Sequence, residues 1–219
     1  MTLKLYFAPG ACSFVPHTLL EASGEPFEPV MVKLHKAENY SPEYKSINPR
    51  AQVPVLVADG EVITQILAIV TWLDQRFPNG NFLPRESLAR VRAMETLAWM
   101  NNTVHPTFTH VFMPHKFAGT PEAQSEVKAF NARLYGELLK EIEAMAAKAA
   151  DEGRPYLTGS HFGPLDAYSL TLLRWGGFAG HDPQGYPALW ASVQRLAQLP
   201  PVARAIERER LQLNVYKAA

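Results

Sequence analysis

The chain has no second cysteine. With Cys12 alone among 219 residues, no intramolecular disulfide can form, and the sequence suits a reducing compartment. It has no excess of either charge. The 21 basic residues balance 21 acidic ones, which argues against a nucleic-acid or polyanion binder built on a basic surface. It has no long apolar run either. The most apolar stretch, Ile63 to Leu73, is broken by Thr64, Gln65 and Thr71 and falls short of the ~18 residues that a membrane span needs. The N-terminus lacks a basic region followed by an apolar core and alternates like a strand from Leu3. No signal peptide is therefore expected, and the expected location is the cytoplasm. Internal repeats and low-complexity tracts are also missing from the sequence.

What remains is ordinary for a globular chain, 47% hydrophobic and 19% charged, and long enough to bury a sizeable core in one large or two small domains. Leu3, Leu5 and Phe7 alternate as a strand, and Pro9-Gly10 is turn punctuation. Ser13 to Ala22 reads as a helix stopped by Ser23-Gly24. A second strand is expected over Phe27 to Leu34, and a helix from Ser41-Pro42 with Ser41 as cap. Pro54 to Val57 and Glu61 to Thr64 form a hairpin through Asp59-Gly60, and a helix follows from Ile66 to Phe77. Beyond a Pro- and Gly-bearing linker at 78–84 the pattern is helical: 86–115, 121–151, 164–178, 186–198 and 201–210. Domains are expected at 1–80 and 86–219.

Cys12 stands where the first strand turns into the first helix. Unpaired backbone amides and the positive end of a helix dipole favour a thiolate, so this thiol is a candidate for chemistry. The plain alternative is a small buried apolar residue. At Val53-Pro54, a proline opening a strand reads either as an edge-strand residue or, with a cis bond, as a place where Val53 offers its backbone to an extended ligand. At Gln65-Ile66, the amides of a helix start could receive a carboxylate.

At these residues the chain resembles a glutathione transferase of the bacterial beta class. Pro9, Gly10, Cys12, Ser13, Pro16 and His17 match its N-terminal motif, and Ile47 to Leu56 match its Ile-Asn-Pro-x-x-Gln-Val-Pro-Val-Leu. His105 follows Trp99 as a histidine does there, and Phe162, Asp166, Ala167 and Tyr168 match the start of its buried sixth helix. The resemblance implies an α/β thioredoxin-like N-terminal domain, an all-α C-terminal domain, a homodimer, and a role in detoxification with glutathione as co-substrate. It implies that Cys12 contacts the glutathione sulfur and can form a mixed disulfide with it, that Val53 pairs with the cysteinyl part, and that Pro54 is a cis-proline. It further implies Gln52 and Lys36 near the glycyl end, Gln65 and Ile66 at the γ-glutamyl end, and His105 near the sulfur. Ser13, His105 and helix-end amides are the expected stabilisers of the thiolate.

The departures are informative. Where the family has Glu-Ser, this chain has Gln65-Ile66, and a missing charge-assisted hydrogen bond would weaken glutathione binding by about 1.5–3 kcal/mol. Pro106 replaces a common lysine, and Gly163 replaces a Ser/Thr cap. Trp99, Phe108, Phe112 and Met113 are candidates for an apolar second-substrate pocket, with the helical core as the alternative. The other histidines (His17, His35, His110, His115, His161 and His181) read as satisfied or surface residues. His110 and His115 are five apart and do not share a helical face, so no metal is expected. The expected activity is conjugation of glutathione to small electrophiles. A glutathione-dependent monothiol disulfide oxidoreductase using Cys12, and a non-catalytic dimeric ligand-binding protein, are the alternatives.

Overall fold

The period-two alternation of Leu3, Leu5 and Phe7 suits a strand with one buried face. In the computed structural model, which describes residues 2–218, these residues form β1 (Leu3–Phe7) with all three side chains buried. The helix α1 (Phe14–Ser23) then crosses to β2 (Glu28–Met31), which pairs parallel to β1. A short α2 (Pro42–Ile47) follows, capped by Ser41, whose Oγ accepts from Tyr44 N at 3.1 Å. β3 (Val55–Ala58) and β4 (Glu61–Thr64) are joined at Asp59-Gly60, both at positive φ as a two-residue hairpin turn requires. α3 (Ile66–Arg76) closes the series. The sheet order is β2-β1-β3-β4, with β3 antiparallel to both neighbours, the thioredoxin-like arrangement. Val32, Tyr44 and Val55 cluster with Tyr6, Ile47, Val53 and Val57 in part of the core, while Leu19, Leu20, Ile69 and Leu73 are fully buried on α1 and α3.

β2 is shorter than the expected Phe27–Leu34. Its ladder ends because β1 ends: Val32 N still donates to Phe7 O at 2.7 Å, but the chain then turns into two single 3₁₀ turns at Leu34–Lys36 and Glu38–Tyr40. The Glu38 carboxylate accepts from Lys33 N at 2.8 Å and closes that loop, leaving Leu34 exposed.

The chain divides into two compact units. One runs to Leu83 and takes in Ala197–Leu211, and the other is Pro84–Leu196 with the tail from Gln212. The expected domain over 86–219 therefore contains a segment that packs elsewhere. α9 (Pro200–Glu209) buries Val202, Ala205 and Glu209 and packs on α1 within the first unit. Helical periodicity identified this helix but carried no information about which surface it covers.

The second unit holds α4 (Ser87–Trp99), α5 (His105–Phe112), α6 (Pro121–Asp151), α7 (Pro164–Phe178) and α8 (Pro187–Ala197). The expected single helix over 86–115 is interrupted. Met100–Val104 forms a π turn in which His105 N–H reaches back to Met100 O. Pro106 supplies the cause: it has no N–H, and in a regular helix its ring would strike the carbonyl of Asn102, so the turn widens. α7 is buried along most of its length and forms the centre of this unit. Asp166 takes over the capping that Gly163 cannot perform, accepting from Gly163 N at 3.0 Å and from Leu157 N at 2.7 Å.

Candidate active site

Strand register brings distant residues together. Tyr6 lies opposite Val55 on one side of β3, and Thr64 lies opposite Val55 on the other. The end of β1, the entry to β3 and the end of β4 are therefore side by side at one end of the sheet. Those three places carry Cys12, Val53-Pro54 and Gln65-Ile66. β2 runs parallel to β1, so the loop bearing the exposed Lys36 leaves from the same end.

Cys12 is 8% exposed, and its thiol donates to Val53 O at 3.6 Å. Burial pushes the Cys12 thiol up to about 12; the backbone amides of Cys12 and Ser13 pull the other way, and the Glu209 carboxylate adds to the rise. The expectation of a thiolate favoured by the helix start is thus corrected. The amides act on the sulfur, but desolvation of the charged form outweighs them. A second correction concerns Ser13. Its hydroxyl is fully buried, accepts from Ala8 N at 3.1 Å and donates to Ala8 O at 3.2 Å. It stitches the turn together and does not stand free for a ligand.

The turn has another anchor that no local pattern reveals. Glu209, on α9, accepts from Gly10 N at 2.7 Å through one carboxylate oxygen and from His17 Nδ1 at 2.7 Å through the other. His17 and Glu209 side chains are both wholly buried, with the imidazole packed against Phe7 and Phe27. The two residues stand 192 apart in the chain, so no local pattern links them.

The Val53–Pro54 peptide bond is cis, as the resemblance implied. The preceding carbonyl, Gln52 O, accepts from Tyr44 Oη and from Asn48 Nδ2, both at 2.8 Å, which fixes the approach to Val53. The Gln52 side chain is exposed. Gln65 caps α3 at φ 72° and ψ 129°, outside the range a side chain tolerates without strain, at a cost on the order of 1–3 kcal/mol. Its side chain is exposed and makes no capping bond, so among the described residues the first amides of α3 have no side-chain cap. Ile66 is 3% exposed, and its side chain is spent on the core.

In the second unit, His105 Nδ1 lies 2.8 Å from Tyr168 Oη, which in turn donates to Asn101 Oδ1 at 3.3 Å. The consistent proton assignment has His105 Nδ1 donating to Tyr168, which leaves Nε2 as an acceptor. Burial lowers the His105 pKa to about 4, so the ring is neutral at physiological pH. It packs on Trp175 with centroids 4.8 Å apart. Trp175 stacks on Phe108 at 4.6 Å, and Phe108 stacks on Phe112 at 5.6 Å. Phe108 is buried core, whereas Phe112 is 57% exposed and lies 6.0 Å from Phe178, itself 48% exposed. Of the four residues expected to line an apolar pocket, Phe108 and Phe112 join this aromatic shelf. Trp99 and Met113 have no ring contact with it among the described residues. Trp175 and Phe178 were missed, although Trp175 stands two helical turns after Tyr168, on the same face.

Among the described residues, no three His, Cys, Asp or Glu side chains converge on a metal position, and no helix is long and apolar enough to cross a membrane.

Residues 1–75 match the family described as glutathione S-transferase, N-terminal domain. Over 213 residues the chain is 32% identical to glutathione S-transferase GstA of Escherichia coli O157:H7, covering 95% of this chain and all of that one. Among solved structures, a sphingomonad glutathione S-transferase complexed with glutathione superposes with a TM-score of 0.81 at 32% identity, covering 95% of this chain and all of its own. A bacterial beta class glutathione S-transferase from Sphingomonas chungbukensis superposes with a TM-score of 0.80 at 29% identity, with the same coverage.

Proposed function

The chain belongs to the glutathione S-transferase family, and on that premise we propose how its residues carry out glutathione transfer. In the proposed reaction the glutathione thiolate attacks an electrophilic carbon. The sulfur–carbon bond forms as the leaving group departs with the bonding electrons. The first unit holds glutathione. Val53 offers its backbone to the cysteinyl part, beside Pro54, and Gln52 and Lys36 serve the glycyl end. Gln65 and the uncapped amides at the start of α3 receive the γ-glutamyl end, with no side-chain hydroxyl to help because Ile66 stands there. The second unit supplies Phe112 and the shelf beneath it for a small hydrophobic electrophile, and His105 acts as a neutral imidazole. We place the protein nearest the beta class, in the cytoplasm, in detoxification, as a homodimer that needs no metal. Leu88 and Val91, 61% and 59% exposed and one turn apart on α4, suit such an association.

The observation that carries conjugation over disulfide exchange is the buried Cys12 thiol. Burial pushes its pKa up to about 12, so near neutral pH it is held as the uncharged thiol. Exchange needs an attacking thiolate, whereas a thiol donates a hydrogen bond. Cys12 therefore donates to the bound glutathione thiolate, exchanging Val53 O for a charged acceptor. The test uses calorimetric titration with glutathione, then Cys12→Ala and Cys12→Ser in two assays. Conjugation of a halogenated nitroaromatic should survive in Cys12→Ser and fall modestly in Cys12→Ala, by on the order of tenfold for one lost hydrogen bond to a charge. Disulfide reduction as the dominant activity, abolished by both variants, would overturn the assignment. Glutathione binding undetectable at millimolar concentration would remove transfer altogether.

A further inference from the structure

Asn101, His105 and Tyr168 meet at one hydroxyl group. Asn101 lies within the π turn and His105 closes it, while Tyr168 is fully buried on α7. The Asn101 amide is oriented by its neighbour: Nδ2 donates to Asn102 Oδ1 at 2.8 Å, which turns Oδ1 toward Tyr168. A carboxamide oxygen only accepts, so the single Tyr168 hydroxyl proton goes to it, across 3.3 Å. The Tyr168 oxygen then has no proton left for His105, and Nδ1 is the donor of the 2.8 Å bond between them. On a neutral imidazole that leaves Nε2 with a lone pair. Each bond fixes the next, so a partly exposed amide decides which ring nitrogen carries the proton. No charged group competes for that decision among the described residues. Burial alone lowers the His105 pKa, the titratable side chain facing it from α7 is Tyr168, and α6 contributes Tyr135 behind Phe108.

We infer that Asn101 and Tyr168 are positioning residues that hold His105 in the Nδ1–H tautomer, so that Nε2 takes the proton of the glutathione thiol. The inference rests on the reading that His105 serves the glutathione sulfur. As the S–H bond breaks, its electron pair stays on sulfur and the proton bonds to Nε2. The imidazolium then donates to the thiolate through Nε2 and to Tyr168 through Nδ1, and returns its proton to water once the sulfur–carbon bond has formed. In the other tautomer Nε2 already carries a proton, and this step is closed. Without Asn101, the Tyr168 proton turns to His105 Nδ1 and that other tautomer prevails.

Asn101→Leu removes the acceptor at a partly exposed position, and Asn101→Asp keeps one there. Nitrogen-15 NMR of histidine-labelled protein reads the tautomer, with His105→Gln identifying the signal. Wild type and Asn101→Asp should show Nδ1–H, and Asn101→Leu should show Nε2–H. Conjugation of a halogenated dinitrobenzene is then followed at pH 6.5 and at pH 9, above the ordinary thiol pKa of about 8.5, where glutathione ionises without a base. The ratio of kcat/KM at pH 6.5 to that at pH 9 should fall about tenfold in Asn101→Leu, the population change that one hydrogen bond decides, and should not fall in Asn101→Asp. An unchanged tautomer in Asn101→Leu, or an equal loss at both pH values, would overturn the inference. His105→Gln tests the reading beneath it. If that variant keeps full activity at pH 6.5, His105 does not serve the sulfur and the inference falls with that reading. If His105→Gln loses activity at pH 6.5 while Asn101→Leu does not, His105 keeps its place and only the part of Asn101 and Tyr168 is refuted.

Discussion

Ile66 gives to packing a position where the beta-class resemblance implies a ligand-binding serine. Its side chain is buried at the first turn of α3, next to a strained Gln65 whose own side chain faces solvent. The two demands conflict, and their magnitudes are comparable. Ile66→Ser is expected to tighten glutathione binding about tenfold, from one hydrogen bond to a carboxylate. The same change should lower stability by about 2 kcal/mol through lost burial. Calorimetric titration and denaturant unfolding of the one variant check both signs. Tighter binding with no loss of stability would show that the isoleucine is not needed by the core. Cys12 presents a related contest between two effects at one atom. The helix-start amides favour its thiolate and burial opposes them, and only the depth of burial, which no sequence pattern encodes, decided the direction.

At the scale of elements, α9 matters more for α1 than any segment near it in sequence. Its Glu209 carboxylate holds both the Gly10 amide of the Cys12 turn and the His17 imidazole. Nearer the other end of α1, Arg204 Nε donates to Glu21 Oε2 at 2.6 Å, and Arg208 lies 2.8 Å from Glu21 Oε1. The two arginines are half exposed, and although the Glu21 carboxylate between them is buried, it keeps Arg208 when Arg204 is lost. The His17–Glu209 pair is wholly buried, so deleting one partner strands the other. Glu209→Ala is accordingly expected to cost about 3 kcal/mol, and Arg204→Ala well under half of that. Chemical denaturation of the two variants compares them directly. Near-equal losses would contradict the argument from burial.

For the molecule as a whole, stability against pH is a sum over groups, and two of its terms oppose each other. Burial lowers His105 from 6.5 to about 4, so the folded state binds fewer protons there than the unfolded state. Its contribution is present above pH 6.5 and is lost as pH falls toward 4. Burial raises Asp166 from 3.8 to about 6, so the folded state binds more protons there. Its contribution is present below pH 3.8 and is lost as pH rises through 6. Between pH 4 and 6 the two slopes have opposite signs and similar size. The wild-type chain is expected to show little net slope from this pair. His105→Gln should expose a stability that falls with rising pH, relative to wild type, and Asp166→Asn one that rises. Unfolding free energies at several pH values in this window check both. Parallel profiles for all three proteins would refute the assignment.

Short-range pattern in the chain set the local order of elements and named most of the candidate site residues. The alternation in β1, the Asp59-Gly60 hairpin and the Ser41-Pro42 helix start are short-range matters of side-chain period and backbone preference, so they are written in neighbouring residues. Cys12, Val53 and Pro54 were legible because they sit at turn chemistry matching a known motif. Tertiary structure alone decided what depends on distant partners. It returned α9 to the first unit, tied Ser13 to Ala8, set Glu209 beside His17, and brought Trp175 and Phe178 to the shelf begun by Phe108 and Phe112. It also reversed the expected ionisation of Cys12. Periodicity shows that a residue is buried, but not against which segment. The charge a buried group can keep depends on that segment and on the water it excludes.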